Sequence, residues 1–218
     1  MYIKWIVCEV KNNLKEEFSS AQEKWIETKN SEGFIGQVGG FDLNNKTDAC
    51  IISFWENEDA LNIFMNKFHN KIFFNNNQSD YYNSIKIDFF NPILTMEGEF
   101  QFLGDFLEKG KILRIADCFV KSNKTNHLEF AQNEVWMPGM KNSTGMLGGM
   151  FSKDVNNSPH YLVSTFWDSL ENHESYVEKV LPRLQEKSQV KNDITKITGR
   201  KIKLIDSWKI IKNSTVNL

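Results

Sequence analysis

This chain has no surplus of positive charge. Its 26 Lys and Arg are set against 28 Asp and Glu, for a net charge of -2 and a pI near 6.1. No basic stripe is available to neutralise phosphates, which argues against a nucleic-acid partner. Long hydrophobic runs are missing as well. None approaches the roughly 20 residues of a membrane span, so no membrane partner is expected. The opening MYIKWIVCEVKNN is too short in its apolar part, and too soon charged, to read as a signal peptide. Cysteine is scarce: Cys8, Cys50 and Cys118 are an odd set, each inside an apolar run. They read as reduced core thiols of a cytoplasmic protein, not as a disulfide framework or a metal site. There is no Gly-x-Ser-x-Gly elbow and no Cys–His pair with an orienting third group, which leaves nucleophilic catalysis without support. No histidine stands at ligand spacing from a cysteine or carboxylate, and neither metal nor cofactor is expected. What remains is an ordinary globular composition, 40% hydrophobic and 25% charged.

The strongest positive signal is an internal repeat. GFIGQVGGFDLNNKTDACIISFWENEDAL begins at Gly33, and GMLGGMFSKDVNNSPHYLVSTFWDSLENH begins at Gly145, an ungapped offset of 112 residues. Asp42 falls on Asp154, Asn44-Asn45 on Asn156-Asn157, and Phe54-Trp55 on Phe166-Trp167. Nearer the start, CEVKNN from Cys8 echoes CFVKSN from Cys118 at an offset of 110, so two residues are inserted before the second glycine stretch.

Each copy reads β-α-β-β-α-β, the ferredoxin-like unit. In the first, an apolar strand over Tyr2 to Val10 precedes a helix with Leu14, Phe18, Ala21 and Trp25 on one face. The glycines of Gly33 to Gly40 lead into a hairpin turning at Asn44-Asn45, not into a helix N-terminus, so they form a strand with a bulge or close approach instead of a phosphate loop. Asn57 caps a helix with the stripe Leu61, Phe64, Met65, Phe68 and Ile72, and a last strand is expected near Ile85 to Phe90. In the second copy Ser169 caps a helix with the stripe Val177, Val180, Leu181 and Leu184, and Lys201 to Ile211 closes the unit. The boundaries are 1–95 for the first repeat, 96–110 for a packed connector rich in Phe and Leu, and 111–218 for the second repeat. The third strand of each copy is apolar on both faces, with Cys50, Ile52 and Phe54 opposite Ala49, Ile51 and Trp55. One face takes the helices and the other wants a second sheet. The copies therefore pair into an α+β barrel with helices outside, either within one chain or across a homodimer.

CEVKNN, AQEKW, GFIGQVGG, ACIISFW and HNKIF resemble the YdbC-like family of uncharacterised bacterial proteins, which in turn resembles the antibiotic-biosynthesis-monooxygenase group of dimeric α/β barrels. The resemblance implies a barrel that binds a small, mostly apolar or aromatic molecule, either as a cofactor-independent monooxygenase or as a non-catalytic module. Haem-degrading members of the wider group use an Asn, a Trp and a His. Counted from Trp55, the Trp and His positions fall on Phe64 and Phe74, and in the second copy on Tyr176 and Glu186. The set is absent, and haem degradation is not expected.

His69 is the catalytic candidate, as a proton donor or acceptor at a pocket rim. Its counterpart is Leu181, and the alternative is a hydrogen-bonded core histidine. His127, His160 and His173 read as surface residues. Of the six tryptophans, Trp55 and Trp167 hold equivalent places and either pack the core or line a cavity. Gln37 stands among apolar residues and matches Gly149, an asymmetry that favours the first copy as the binding half. The candidate pocket residues are thus Trp25, Gln37, Trp55, His69 and Trp167.

Overall fold

Alternation along β1 (Tyr2–Val10) sends Ile3 and Trp5 to one face and Lys4 and Cys8 to the other. That division organises the whole molecule, a computed structural model that describes residues 1–212; 213–218, the end of the second repeat as bounded above, lie outside the described residues. After β1 come α1 (Lys15–Glu23), a 3-10 turn (Lys24–Asn30), β2 (Phe34–Asp42), β3 (Asp48–Trp55), α2 (Glu58–Phe64), a π turn (Met65–His69), α3 (Asn70–Asn75) and β4 (Tyr82–Glu97). A connecting helix α4 (Leu103–Lys109) leads to β5 (Ile112–Val120), α5 (Thr125–Ala131), a second π turn (Gln132–Trp136) and α6 (Met137–Lys141). The chain ends with β6 (Met146–Asp154), β7 (His160–Trp167), α7 (Leu170–Lys179), α8 (Leu181–Ser188), β8 (Ile194–Leu204) and β9 (Ile210–Ile211). Asn57 accepts from the Ala60 amide at 2.9 Å and Ser169 from the Asn172 amide at 3.2 Å, the two N-caps their residue types foretell.

The strands close on themselves in the order β1-β4-β6-β7-β5-β8-β2-β3, an eight-stranded antiparallel barrel. Each repeat contributes four neighbours. The seams are β4 with β6, from Phe90 opposite Asp154 to Glu97 opposite Gly148, and β2 with β8, from Gly40 opposite Leu204 to Asp42 opposite Ile202. The two repeats thus pair within one chain. Both seams depend on strands longer than, or placed differently from, the sequence expectation. β4 runs from Tyr82 to Glu97 instead of stopping near Phe90, absorbing Pro92 at a register shift. β8 begins at Ile194 and ends at Leu204, and a 3-10 turn at Asp206–Trp208 separates it from β9, so 201–211 is not one strand.

Inside the barrel Ile3, Trp5, Cys50, Ile52, Phe54, Leu113, Leu162 and Phe166 form a continuous core. One end is plugged by α4, whose Leu103, Phe106 and Leu107 are fully buried. Glycines make the room: a Cβ at Gly36 would lie 2.7 Å from Leu107 Cδ1, and one at Gly148 2.7 Å from Phe106 Cδ1. Both follow a bulge, at Ile35 and at Leu147, so GFIGQVGG is a strand that bends around the plug. The other end is polar. Arg200 of β8 bridges Asp42 at 3.1 Å and Asp48 at 2.5 Å across one seam.

The helices cover the outer face, and three residues, Phe68, His160 and His173, depart from their expected exposure. The π turn at Met65–His69 rotates the stripe, so Phe68 is 47% exposed while His69 turns inwards. α7 ends at Lys179 ahead of Pro182; the stripe Val177, Val180, Leu181 and Leu184 packs against the second-repeat core, and His173 and Tyr176 are buried beside it. His160 and His173 are not surface residues: they are 3% and 4% exposed. His160 pairs with Asp117 at 2.6 Å and stacks on Phe119, and His173 lies against Trp167.

Candidate functional site

Between the outer face of the first-repeat sheet and its helices lies a small cavity of about 70 Å³. Trp25, Gln37, Trp55 and His69, four of the five residues singled out in the sequence, line it together. Trp25 comes from the 3-10 turn after α1, Gln37 from β2, Trp55 from β3 and His69 from the π turn. Trp167 is elsewhere, in the core of the second repeat, its indole N–H donating to Thr165 Oγ1 at 3.0 Å. Trp55 has the same local arrangement, donating to Ser53 Oγ at 3.1 Å, and borders the cavity while packing on Phe34 and Phe64.

The residue that sequence reading missed is Lys4. Neighbouring strands place it in a row with Ser53 and Phe89, and Gln37 lies beyond Ser53. It is 6% exposed, has no carboxylate partner among the described residues, and donates to Met65 Sδ at 3.6 Å. Burial pushes its amine down from 10.5 to about 8, slightly opposed by Cys8. The mark in the sequence is a lysine in the strand YIKWIVC on the same face as Cys8. Gln37 Nε2 is likewise buried with no hydrogen-bond partner among the described residues. His69 is half-buried against Trp25, 5.3 Å between ring centroids, and stacks on Phe73 at 5.6 Å. Burial lowers its pKa, the Asn70 hydrogen bond opposes this, and the charge of Lys4 lowers it further. Nδ1 faces Asn70 Oδ1 at 3.2 Å, an arrangement that puts the proton on Nδ1 and leaves Nε2 as a base.

One corner of the cavity is closed by a chain of amides. Trp25 donates its indole N–H to Gln78 Oε1 at 2.7 Å, and Gln78 donates to Gln22 Oε1 at 2.9 Å. The thiols take no part: desolvation pushes Cys8 and Cys118 up to about 12, so both stay protonated and inert.

The pseudo-equivalent space in the second repeat is far larger, about 680 Å³, with Arg114, Gln132, Trp136 and Val190 in its wall. A third group was invisible as spacing. Asp88, Asp117 and His160, from three strands, bring ligand atoms within 4.8 Å of one another near the polar end of the barrel. This is donor chemistry suited to a divalent cation, but Lys86 already pairs with Asp88 at 2.7 Å and lies 3.7 Å from Asp117. At the positions that would hold the Trp and His of a haem-degrading set, Phe64 is a buried wall residue and Phe74 is 69% exposed.

Residues 2–90 match the family model described as a domain of unknown function, DUF4937. The uncharacterized protein YdbC of Bacillus subtilis (strain 168) is 37% identical over 89 residues, covering 40% of this chain and 75% of that protein. Among solved structures, a candidate monooxygenase from Fusobacterium nucleatum superposes with a TM-score of 0.79 at 13% identity, over 100% of this chain and 96% of the other. A candidate monooxygenase from Lactobacillus acidophilus gives 0.72 at 14% identity over 100% and 98% of the two chains. An anthrone oxidase-like protein gives 0.72 at 9% identity over 99% and 95%. At such identities the likeness is one of fold. Among the described residues no helix is long and apolar enough to cross a membrane.

Proposed function

The chain belongs to the YdbC-like family that carries the DUF4937 domain, and from that premise we propose that it binds a small, mostly apolar aromatic molecule with an ionisable oxygen in the first-repeat cavity. The observation that carries this reading is Lys4, a buried amine without a carboxylate partner among the described residues, in an aromatic-walled space. A phenolate or enolate oxygen supplies the missing charge, and Gln37 Nε2, otherwise unpaired, donates a second hydrogen bond. His69, on the helix side, takes the hydroxyl proton as the ligand ionises. In this reading Trp25, Trp55 and Phe73 supply the apolar contacts and Trp167 supports the second repeat. At about 70 Å³ the empty cavity is too small for a fused-ring ligand. Access therefore requires the Met65–Asn75 segment to lift, and its π turn is where the helix is weakest.

An aromatic enolate held this way is primed for reaction with oxygen without a cofactor. A ring methylene plus O₂ yields a ring carbonyl plus water: two C–H bonds are lost, one oxygen atom enters the ring and the other leaves as water. The fold shared with proteins described as monooxygenase candidates and as anthrone oxidase-like supports this chemistry. The second reading, a non-catalytic binding module, shares the site and lacks the reaction. Thermal melts with 1-naphthol and oxygen uptake with 1,8-dihydroxyanthrone separate the two. A 1-naphthol-induced shift in the wild type that is lost in Lys4→Met and His69→Leu supports the site, and equal shifts in all three proteins remove both residues from it. Oxygen uptake above the spontaneous rate identifies an enzyme, and binding without uptake a module.

A further inference from the structure

The two helix–sheet cavities are related by the internal repeat, and one of the side chains that differ between them decides whether the space is bridged. Gln22 corresponds to Gln132, and Gln78 to Val190 at the offset of 112. Trp25 corresponds to Trp136, because the π turn at Gln132–Trp136 adds a residue and moves the offset from 110 to 111. In the first repeat Gln78 ties Trp25 to Gln22 and closes the space. In the second, valine cannot form that bridge. Gln132 Oε1 and Trp136 Nε1 are consequently left without hydrogen-bond partners among the described residues, although the two residues are only 6% and 9% exposed. An acceptor and a donor, each buried and each lining a cavity of about 680 Å³, are a standing deficit of two hydrogen bonds.

Charge narrows the occupant. Arg114, in the position of Lys4, lines the same cavity and, among the described residues, makes no ion pair or hydrogen bond. Lys191 and Lys196 also line it, against the single carboxylate of Glu186. The apolar part of the wall includes Cys118, Leu128, Met140, Val163, Leu181 and Ile197, while Gln185, Gln189, Asn192 and Thr195 add uncharged polar groups.

We infer that the second-repeat cavity is a binding site for an organic acid with an apolar, ring-sized body and a hydroxyl group. The carboxylate pairs with the Arg114 guanidinium, for which a planar two-oxygen partner is the natural match. The hydroxyl bridges Trp136 and Gln132 as the Gln78 amide does in the first repeat, accepting from the indole and donating to the amide oxygen. This site is separate from the one proposed for the first repeat. It has room for a ligand in the unliganded state and shares no wall residue with the first cavity.

The test uses 6-hydroxy-2-naphthoate and its methyl ester, titrated calorimetrically into the full chain and into two variants. The wild type should bind one acid per chain in this cavity, and the ester at least tenfold more weakly. Arg114→Met should bring the acid down to the affinity of the ester. Val190→Gln restores the bridge of the first repeat in a residue that lines only this cavity. It should abolish binding of both compounds in this cavity while raising the melting temperature, because it satisfies Gln132 and Trp136. Equal affinity for acid and ester, acid binding undiminished in Val190→Gln, or no binding of the acid by the wild type would each overturn the inference. Failure of the first-repeat site changes none of these results, since neither variant touches it.

Discussion

Replacing Lys4 by Met tests what the burial of that amine costs. The side chain is 6% exposed, and burial lowers its pKa from 10.5 to about 8. At about 1.36 kcal/mol per pKa unit, the ammonium is worth about 3 kcal/mol less in the folded protein than in the unfolded chain. The sign follows from which state holds the proton. Below pH 8 both states are protonated and the folded protein carries the whole penalty. Between pH 8 and 10.5 the unfolded chain keeps the proton that the folded one has shed, so stability rises with pH. Methionine has a similar length and no charge, so Lys4→Met should be more stable than wild type near neutral pH by up to about 3 kcal/mol. The gain is reduced by whatever the contact with Met65 Sδ contributes. The advantage should shrink towards nothing at about pH 10, where the wild-type amine is neutral in the folded state. Urea unfolding of both proteins across this range, read as a difference, cancels the tyrosines that titrate in the same window. A variant no more stable at neutral pH, or a gap that ignores pH, would refute the assignment of Lys4 as a buried, unpaired cation. A variant that is more stable but has lost 1-naphthol binding would show why a destabilising residue is kept.

Phe106→Ala, which empties the plug of the barrel, should cost about 3–5 kcal/mol in urea unfolding, with little change in the shape of the transition. Arg200→Met leaves the carboxylates of Asp42 and Asp48 buried without their cation, and should cost about 3–5 kcal/mol, measured in the same way. His173 is lowered to about 4 by burial and then by the charge of Arg114. The unfolded chain therefore takes up a proton more readily, and stability falls as pH drops from 6.5 towards 4; thermal melts across that window should show a slope that His173→Phe removes.

The barrel was legible because its two diagnostic features are local. The 112-residue repeat can be counted, and a third strand apolar on both faces admits few explanations beyond a layer on each side. The seams were not legible. Asn91-Pro92 reads as the end of a strand, and only pairing with β6, in a different repeat, carries β4 on to Glu97. The same limit applies at the candidate site. His69, Gln37 and Trp25 stood out as polar or bulky residues in apolar surroundings. Lys4 passed unnoticed, since one lysine in a strand normally marks the solvent face and nothing in its neighbours showed that a helix would cover it. Phe68 was misplaced because a π turn leaves no compositional trace, and adding one residue to a turn rotates all that follows. His160 and His173 were read as exposed from their positions at element starts, whereas the packing of Phe119 and Trp167 over them decides their burial.

Closure of the barrel inside one chain has a consequence for how the two halves can change. In an assembly of identical subunits every substitution occurs twice, so a residue that improves one site is imposed on the other. Here Gln78 can stay while its counterpart is Val190, and Lys4 can face Arg114 across the repeat relation. Each half is free to vary alone. The connector also replaces association by an intramolecular docking step, so dilution does not separate the halves as it would separate two chains. A protein built this way can hold two unlike pockets on one scaffold and keep both at any concentration.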